Sequence, residues 1–434
     1  MKKISLILFF IFLWLPISYA DNPKYIFLFI GDGMSMSSEV SLSLFLHGQD
    51  KMLFWNKFPV QTYMTTWSKS SYRAIYDKNN FDPEKGYDTK IAGTLPYPYY
   101  KTDESEQYFK KQFATDSAAA ATAMATGEKV YNKTICCDKQ SEKFISNIVD
   151  KINEKKEYNT ALITTDKFYS ATPAGFFSHN INRKNYKEIA AEILSKTKPE
   201  IIIGKNKLDE MNSFAALNGY YLMDASEINK PQVFDLVNKK LFIKLQRYLV
   251  PQPVENFSNE PFEYVNETDR FSNIVLNTTK LLLEKKKPFF ALVEVCDIDK
   301  ANHKGMYNKM LGAMYEFNET VKTIYELIDS KSTDMTFDNT IIIVTADHST
   351  GMLRFNEYPG KGELPVTYTV KKDSTTITTN KKISYKTDWH TNEMVGCYCV
   401  GAKSDVIKEC INKQNIIDNT DIYNILNDVI FNDN

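Results

Sequence analysis

The sequence predicts an α/β protein with a large, mostly parallel central sheet flanked by helices on both faces. Short apolar runs without polar alternation are typical of strands buried on both faces of a parallel sheet. Segments with helical periodicity separate these runs, and alternation of strand and helix indicates βαβ units. The chain of 434 residues, with 43% hydrophobic side chains, is long enough for such a core.

Six apolar runs are predicted strands: 25–30 (YIFLFI), 160–165 (TALITT), 201–203 (III), 289–295 (FFALVEV), 340–345 (TIIIVT) and 394–400 (MVGCYCV). Helices are predicted at 118–126, 144–155, 186–196, 273–285 and 312–328. The less regular stretches 72–111, 249–263 and 355–388 are predicted surface insertions, and the Thr-rich run TVKKDSTTITT in the last resembles a small hairpin. We found no internal repeat, so 21–434 is predicted to be one domain with a small insertion around 355–388.

The composition excludes several classes of protein. The 53 Lys and Arg residues balance 54 Asp and Glu residues, which gives a formal net charge of −1. A chain without a basic excess lacks the electrostatic signature of nucleic-acid binding. The profile also lies far from disordered or collagen-like sequences. The function must therefore be sought in local groups of residues.

The first twenty residues have the pattern of a cleavable secretory signal. Lys2 and Lys3 precede the apolar run 4–15, and Ser18-Tyr19-Ala20 supplies the small residues that a signal peptidase reads. The apolar run is shorter than the roughly 20 residues of a membrane-spanning helix. We therefore predict an exported protein, periplasmic or extracellular, with 1–20 removed and no transmembrane segment in the mature chain.

Export would place the cysteines in an oxidising compartment. The even number of six permits disulfides, but six cysteines allow about 15 complete pairings, and the sequence does not choose among them. Cys296 lies in an apolar run and is predicted to be a buried free thiol. The six are Cys136, Cys137, Cys296, Cys397, Cys399 and Cys410.

Acidic residues stand at the ends of three predicted strands. Asp32 follows 25–30, Glu294 lies within 289–295, and Asp347 follows 340–345. In open α/β sheets, ligands bind beyond the carboxyl ends of the strands, so these side chains can converge. A buried carboxylate must be paired or must coordinate a metal ion. The pattern therefore predicts a metal site at this edge.

Three of the five histidines can join these acids. His348 directly follows Asp347, and His303 lies four residues after Asp299, on the same face if the segment is helical. His390 precedes the last predicted strand. Mixed carboxylate and imidazole ligation suits Zn²⁺. Each histidine alone is more commonly structural, but together with the acidic strand ends they favour a metal site.

The candidate nucleophile is Ser117, in the segment FATDSAAAATAMATG. Ala-rich sequence favours a helix, and Gly127 is a natural end for it. Asp116 or Ser117 could simply cap this helix. A helix N-terminus also attracts phosphate, because its free N–H groups and dipole favour an anion. The segment alone leaves both interpretations open.

Six motifs together resemble the alkaline phosphatase family. IFLFIGDGM, TDSAAAATA, ATPAGFFSHNINR, EVCDIDKANH, VTADHSTG and DWHT occur in the order and approximate spacing of that family, over about 26–399. The resemblance implies an exported phosphate-monoester hydrolase of broad substrate range, which releases inorganic phosphate through a phosphoserine intermediate on Ser117. It also implies small phosphate esters as substrates and a homodimer as a common assembly.

The same resemblance implies two Zn²⁺ and one Mg²⁺ per chain. The matched positions form two zinc sets, Asp32 with Asp347 and His348, and Asp299 with His303 and His390. Asp32 would also bind the magnesium, together with Glu294 and Thr172. Arg183 matches the arginine that binds the phosphate, since its planar fork fits two phosphate oxygens, and Asp116 matches the acid that orients it.

Two positions are weaker candidates. Ser170 lies two residues before Thr172, where family members carry an acid or histidine, so the identity of the third ion is open. Lys300 follows Asp299 at a position where some members have a lysine that reaches the phosphate through water.

Two other functions stay open at this point. A phosphodiesterase of the same superfamily would use a threonine, and Thr115 is two residues from Ser117. A sulfatase would need a C/S-x-P-x-R setting, which Ser117 lacks. A non-catalytic exported relative would bind metal or phosphate without turnover.

Overall fold

A computed structural model of the protein describes residues 23–71, 114–246, 248–265, 270–365, 368–372, 375–379, 381–413 and 415–432. The predicted signal 1–20 and the whole of the irregular stretch 72–111 lie outside the described residues.

In the described residues, the strands are β1 (Tyr25–Gly31), β2 (Val60–Thr65), β3 (Asn159–Lys167), β4 (Ile201–Lys205), β5 (Tyr220–Asp224), β6 (Lys240–Lys244), β7 (Gln252–Pro253), β8 (Phe262–Glu263), β9 (Phe289–Val295), β10 (Thr340–Thr345), β11 (Ser349–Thr350), β12 (Leu353–Phe355), β13 (Tyr368–Lys372), β14 (Thr375–Thr379), β15 (Ile383–Tyr385), β16 (His390–Thr391), β17 (Val395–Gly401) and β18 (Ile416–Asp418). Ten of them form the central sheet, in the order β18-β2-β17-β10-β1-β9-β3-β4-β6-β5.

Helices cover the sheet and bury its strands. In the described residues, the α-helices are α1 (Met36–His47), α2 (Ser117–Thr126), α3 (Ile148–Lys155), α4 (Ala171–Phe177), α5 (Tyr186–Glu192), α6 (Glu210–Leu217), α7 (Phe271–Glu284), α8 (Asp297–His303), α9 (Tyr307–Asp329), α10 (Val406–Cys410) and α11 (Asp421–Phe431). A π-helix, Ile193–Thr197, continues α5, and short 3₁₀-helices occupy Phe54–Lys57, Ala225–Glu227 and Pro231–Leu236.

The sheet is mostly parallel, as predicted. β1 lies between β10 and β9 and pairs in parallel with both, and every residue of β1, β9 and β10 is buried. The predicted strand 394–400 is the exception, because β17 pairs antiparallel with both β10 and β2. β17 runs back from the edge at which β10 ends, and this direction places the residues just before it at that edge.

The predicted helices are all present, with shifted ends. The helix expected at 144–155 begins only at Ile148, because Asn147 caps it by accepting hydrogen bonds from the N–H groups of Val149 and Asp150. Before the cap, Phe144 pairs with Cys137 in an isolated bridge. The region 312–328 is part of the longer helix α9.

The stretch 355–388 contains the hairpin expected in its Thr-rich run, since β13 and β14 pair antiparallel. With β12 and β15 they form a separate four-stranded sheet. The short strands β11 and β16 pair with each other beside it and bring His390 opposite Thr350. This pairing ties the segment just before β17 to the segment just after β10.

All six cysteines are free thiols, and Cys296 is buried as expected. The disulfides that an exported chain permits are not formed. Within the described residues, none of the helices combines the length and the apolar character that crossing a membrane requires.

Candidate active site

The site lies at the carboxyl edge of the three central strands. Parallel register sets Glu294 of β9 beside Ile30 of β1, and the N–H of Asp32 donates to the carbonyl of Val295 at 3.1 Å. One oxygen of Asp347, Oδ1, accepts from the N–H of Gly33 at 3.0 Å. The three acidic strand ends predicted from the sequence therefore meet.

Gly33 permits the close approach of two site segments. Its φ is +67°, in the left-handed region, and a Cβ there would lie 2.7 Å from the Cα of Asp299. Any side chain would push helix α8, which carries Asp299 and His303, away from the strand ends. Glycine is therefore needed to bring the two sets of candidate ligands together.

Three histidines direct their Nε2 atoms towards the cluster and their Nδ1 atoms away from it. His303 and His390 each place Nδ1 on a backbone carbonyl, of Asp388 and of Thr115, the latter at 2.8 Å. A carbonyl only accepts, so in the neutral imidazole Nδ1 carries the proton and Nε2 keeps its lone pair. The third, His348, places Nδ1 3.3 Å from the hydroxyl of Thr350. This arrangement is typical of metal-binding histidines.

The candidate ligands form two overlapping groups. One ligand atom from each of Asp32, Asp347 and His348 lies within 4.8 Å of the others, and the same holds for Asp299, His348 and His390. Nε2 of His303 completes the cluster, 3.1 Å from Nε2 of His390 and 3.3 Å from Oδ2 of Asp299. The six residues of the two predicted zinc sets therefore occupy one continuous site.

The buried carboxylates of this cluster need a positive charge nearby. Oδ1 of Asp32 and Oδ2 of Asp347 are buried, and neither has a hydrogen-bond partner of good geometry among the described residues, although Nε2 of His348 lies 3.2 Å from Oδ2 of Asp347. Burial, reinforced by neighbouring carboxylates, raises the pKa of Asp32 well above its usual range, and burial raises the pKa of Asp347 to about 7. Orphaned, desolvated carboxylate oxygens beside imidazole lone pairs fit bound metal ions.

A second set of oxygens adjoins Asp32. Glu294 is buried and accepts a hydrogen bond from the hydroxyl of Thr164. Burial raises the pKa of Glu294 to about 8, although the hydrogen bond from the Thr164 hydroxyl opposes the rise. The hydroxyl oxygens of Thr172 and Ser170 are buried, and neither has a hydrogen-bond partner among the described residues. Carboxylate and hydroxyl oxygens fit a hard cation such as Mg²⁺.

Ser117 is the first residue of helix α2 and is buried, with 5% of its surface exposed. Its Oγ lies 3.2 Å from Nε2 of His348. Asp116 caps the helix, since its Oδ1 accepts from the N–H of Ala119 at 3.1 Å. The helix ends at Gly127 in the left-handed conformation. The structure is therefore compatible with both interpretations of the segment: Asp116 caps helix α2, and Ser117 faces the cluster of candidate ligands.

Arg183 reaches the same helix start. Its Nη1 donates to Oδ2 of Asp116 at 2.9 Å, and its side chain is 29% exposed. The N–H of Lys133 donates to both oxygens of Asp116, at 3.0 and 3.1 Å. Asp116 thus caps the helix and fixes the guanidinium beside Ser117.

Lys300 points to a neighbouring acid. Its Nζ donates to Oδ1 of Asp166 at 2.9 Å and lies 2.8 Å from Sγ of Cys296. The side chain is 43% exposed. A water-mediated contact of Lys300 with phosphate stays a prediction.

Two contributors were missed by sequence reasoning. The hydroxyl of Thr350 donates to Oδ1 of Asp299 at 2.6 Å and so joins Asp299 to His348. Its only sequence signal is its place in VTADHSTG. Asp166, the partner of Lys300, directly follows the predicted strand 160–165, so the rule that found Asp32 would have found it.

Comparisons with known proteins find relatives of one family. A family model described as alkaline phosphatase matches residues 64–214 and 267–391. Alkaline phosphatase 3 of Bacillus subtilis (strain 168) is 27% identical over 289 residues, which cover 65% of this chain and 58% of that protein. Alkaline phosphatase of Escherichia coli (strain K12) is 24% identical over 313 residues, which cover 61% of this chain and 64% of that protein. The chain thus aligns with less than two thirds of either relative.

Solved structures show the same fold. Alkaline phosphatase from the Antarctic bacterium TAB5 aligns with a TM-score of 0.64 at 19% identity, over 96% of this chain and all of that one (100%). Alkaline phosphatase of Thermus thermophilus aligns with a TM-score of 0.64 at 14% identity, over 95% of this chain and 92% of that one.

Proposed function

Because the chain belongs to the alkaline phosphatase family, we propose that it is an exported, metal-dependent phosphate-monoester hydrolase that acts through a phosphoserine on Ser117. The observation that carries the proposal is the position of the Ser117 hydroxyl, 3.2 Å from Nε2 of His348 and one residue from the acid that holds Arg183. A nucleophile, a cluster of candidate metal ligands and a phosphate-binding cation thus share one helix start.

The proposed ligands follow the geometry of the cluster. Two zinc ions would be held by the six carboxylates and imidazoles, and a magnesium by Asp32, Glu294 and Thr172, with Ser170 beside them. When bound, such ions polarise phosphoryl oxygens and lower the pKa of a coordinated hydroxyl or water. The identity and number of the ions are part of the proposal.

The chain's own residues bind and orient the phosphoryl group. Arg183 would donate two parallel hydrogen bonds to phosphate oxygens, and its link to Asp116 restricts the guanidinium to one orientation. The N–H groups and dipole at the start of α2 favour negative charge beside Ser117. Positioning and charge stabilisation of this kind dominate phosphoryl transfer.

The proposed reaction has two steps. The Ser117 hydroxyl gives up its proton to solvent as its oxygen forms a bond to phosphorus. The bond from phosphorus to the alcohol oxygen breaks, and the alcohol takes up a proton from solvent as it leaves. Water then attacks the phosphoserine, the bond between phosphorus and the Ser117 oxygen breaks, and inorganic phosphate is released. The serine hydroxyl is regenerated, so the cycle consumes only ester and water.

Export, a broad range of small phosphate esters and a homodimer complete the proposal. Export rests on the signal pattern of 1–20, and the substrate range and the dimer rest on family membership. The single catalytic domain 21–434, with its small insertion around 355–388, also belongs to the proposal.

The test compares an aryl phosphate monoester with a diester that has the same leaving group, on purified protein supplied with Zn²⁺ and Mg²⁺. We expect faster hydrolysis of the monoester, because Arg183 and the helix start favour a dianionic phosphate. A faster diester would contradict the monoesterase proposal and favour the phosphodiesterase, for which Thr115→Ala is the diagnostic variant. Metal and phosphate binding without any turnover would favour a non-catalytic relative.

A further inference from the structure

A histidine outside the metal cluster is held between two carboxylates. Nε2 of His179 lies 3.0 Å from Oδ2 of Asp150, and Nδ1 lies 3.1 Å from Oε1 of Glu192. The His179 side chain is only 10% exposed. A carboxylate accepts and does not donate, so both ring nitrogens act as donors and the ring is an imidazolium. His179 therefore joins helices α3 and α5 by two charged hydrogen bonds.

The same acid holds the backbone around His179. The N–H of His179 and the hydroxyl of Ser178 donate to Oε2 of Glu192, at 3.1 and 3.0 Å. The next residue, Asn180, exchanges two backbone hydrogen bonds with Ile135, at 2.8 and 2.9 Å. The start of the segment 178–183 is thus fixed by Glu192 on one side and by Ile135 on the other.

Arg183 stands at the other end of this segment. Its N–H donates to the carbonyl of Lys133 at 2.8 Å, and the N–H of Lys133 donates to Asp116. Nη1 of the Arg183 guanidinium also donates to Oδ2 of Asp116, at 2.9 Å. Asp116, Lys133 and Arg183 therefore form a closed ring of hydrogen bonds, whose geometry depends on how 178–183 lies against 133–135.

We propose that His179 is a positioning residue for Arg183: its paired contacts with Asp150 and Glu192 hold the segment 178–183 in the register that aims the guanidinium at a phosphate. The proposal rests on the proposed function, since Arg183 is the phosphate-binding residue there. The ring of His179 contacts residues of α3 and α5, and it does not touch the reacting atoms.

The contacts of His179 also predict a dependence on pH. Burial alone would lower the pKa of His179, but the hydrogen bonds and charges of Asp150 and Glu192 outweigh it and raise the pKa to about 9. Lys196 reaches Oε1 of Glu192 at 3.7 Å, and the ring of Phe144 packs on the imidazole. The imidazolium is therefore intact below pH of about 9 and is lost as the pH rises through that value, which loosens the segment.

The experiment compares His179→Gln with His47→Gln, a matched histidine variant at the exposed end of α1. Hydrogen exchange of the 180–183 amides in metal-free protein reports the segment without any turnover, and KM and kcat for an aryl phosphate are measured on metal-loaded protein. We expect faster exchange and a KM about tenfold higher for His179→Gln, with kcat within about threefold of the unmodified protein, because misplaced binding groups weaken substrate positioning. The unmodified KM should rise as the pH passes about 9, and that of His179→Gln should not.

Unchanged exchange and unchanged KM in a folded His179→Gln protein would overturn the proposal. If this variant does not fold, Glu192→Gln serves instead: it must lower the pH at which KM rises, and an unshifted profile would overturn the proposal equally. Absence of hydrolysis by the unmodified protein would contradict the proposed function, whereas the exchange measurement would still decide the role of His179.

Discussion

The Nε2 atoms of His303 and His390 lie 3.1 Å apart, although 87 positions separate the two residues in the chain. Each Nδ1 faces a backbone carbonyl, so in the neutral imidazoles the two lone pairs point at each other. Two facing lone pairs repel unless a cation accepts both. The relationship therefore indicates a metal ion at this position more directly than either histidine does alone.

Removal of metal ions should destabilise the protein as well as inactivate it. Without cations, the buried carboxylates of Asp32 and Asp347 lie unscreened in the cluster, so a metal that binds only the folded state stabilises it. We expect treatment with a chelator to abolish phosphate release and to lower the melting temperature by several degrees, and added Zn²⁺ to restore both. A metal-free protein with unchanged activity would refute the metal-dependent mechanism.

Thr350→Val should weaken zinc binding. The variant removes the hydroxyl that donates to Asp299 and faces Nδ1 of His348, so both ligands lose orientation. Loss of such a supporting contact typically costs about 10–100-fold in metal affinity. Competition with a chromogenic chelator measures this loss. The control is Thr279→Val in α7, where the buried hydroxyl donates only to a carbonyl of its own helix; equal affinities in the two variants would contradict the role of Thr350.

Asp116→Asn should separate capping from orientation. An amide oxygen can still accept from the N–H of Ala119, so we expect stability close to that of the unmodified protein. The charge that fixes Arg183 is lost, so KM for a phosphate ester should rise. Asp116→Ala removes both contacts and should also cost about 1 kcal/mol of stability. Urea unfolding and steady-state kinetics on both variants check this, and an unchanged KM in Asp116→Asn would be the contrary result.

Glu39→Gln should remove part of the pH dependence of stability. Glu39 is 4% exposed, and its Oε2 accepts from Nε1 of Trp55 and from the hydroxyl of Tyr398, each at 2.8 Å. Burial raises its pKa from 4.5 to about 7. Between these values the folded state holds the proton more tightly than the unfolded state, so this group lowers stability as the pH rises, by about 3 kcal/mol in total, and no further above pH of about 7.

Urea unfolding across this range measures the effect. We expect the free energy of unfolding to fall less steeply with pH in Glu39→Gln than in the unmodified protein. Glu284→Gln, at the exposed end of α7, is the matched control and should keep the original slope. A Glu39→Gln slope equal to that of the control would show that the carboxyl of Glu39 does not carry this dependence.

The central strands were predictable because burial on both faces leaves a nearly continuous apolar run. β1, β9 and β10 are buried throughout, and Glu294 of β9 is the one charged residue among them. β2 and β5 were missed because their buried and exposed residues are mixed, as suits strands nearer the edges of the sheet. Helix α1 was missed because its many serines obscure the apolar periodicity, although ten of its residues are buried.

The residues of the site likewise fall into those that the sequence predicted and those that it did not. Asp32, Glu294 and Asp347 follow from the rule that parallel strands deliver their ends to one edge. His303 was predicted from its spacing to Asp299 and His390 from its position before the last strand, and the family motifs placed both in one zinc set. Their meeting depends on the antiparallel return of β17 and on the pairing of β11 with β16. The hydrogen bonds of the Thr350 hydroxyl could not be predicted in this way, and neither could the contacts of His179 with Asp150 and Glu192. Both depend on the tertiary structure and not on a local sequence pattern.

Acid trapping of the enzyme during turnover, followed by peptide mass spectrometry, tests the proposed phosphoserine on Ser117 most directly. We expect one added phosphate on Ser117 of the metal-loaded protein. We expect none in Ser117→Ala, which should keep its metals yet lose turnover by several orders of magnitude. Phosphate on Thr115, or full activity of Ser117→Ala on an aryl phosphate, would contradict the phosphoserine mechanism.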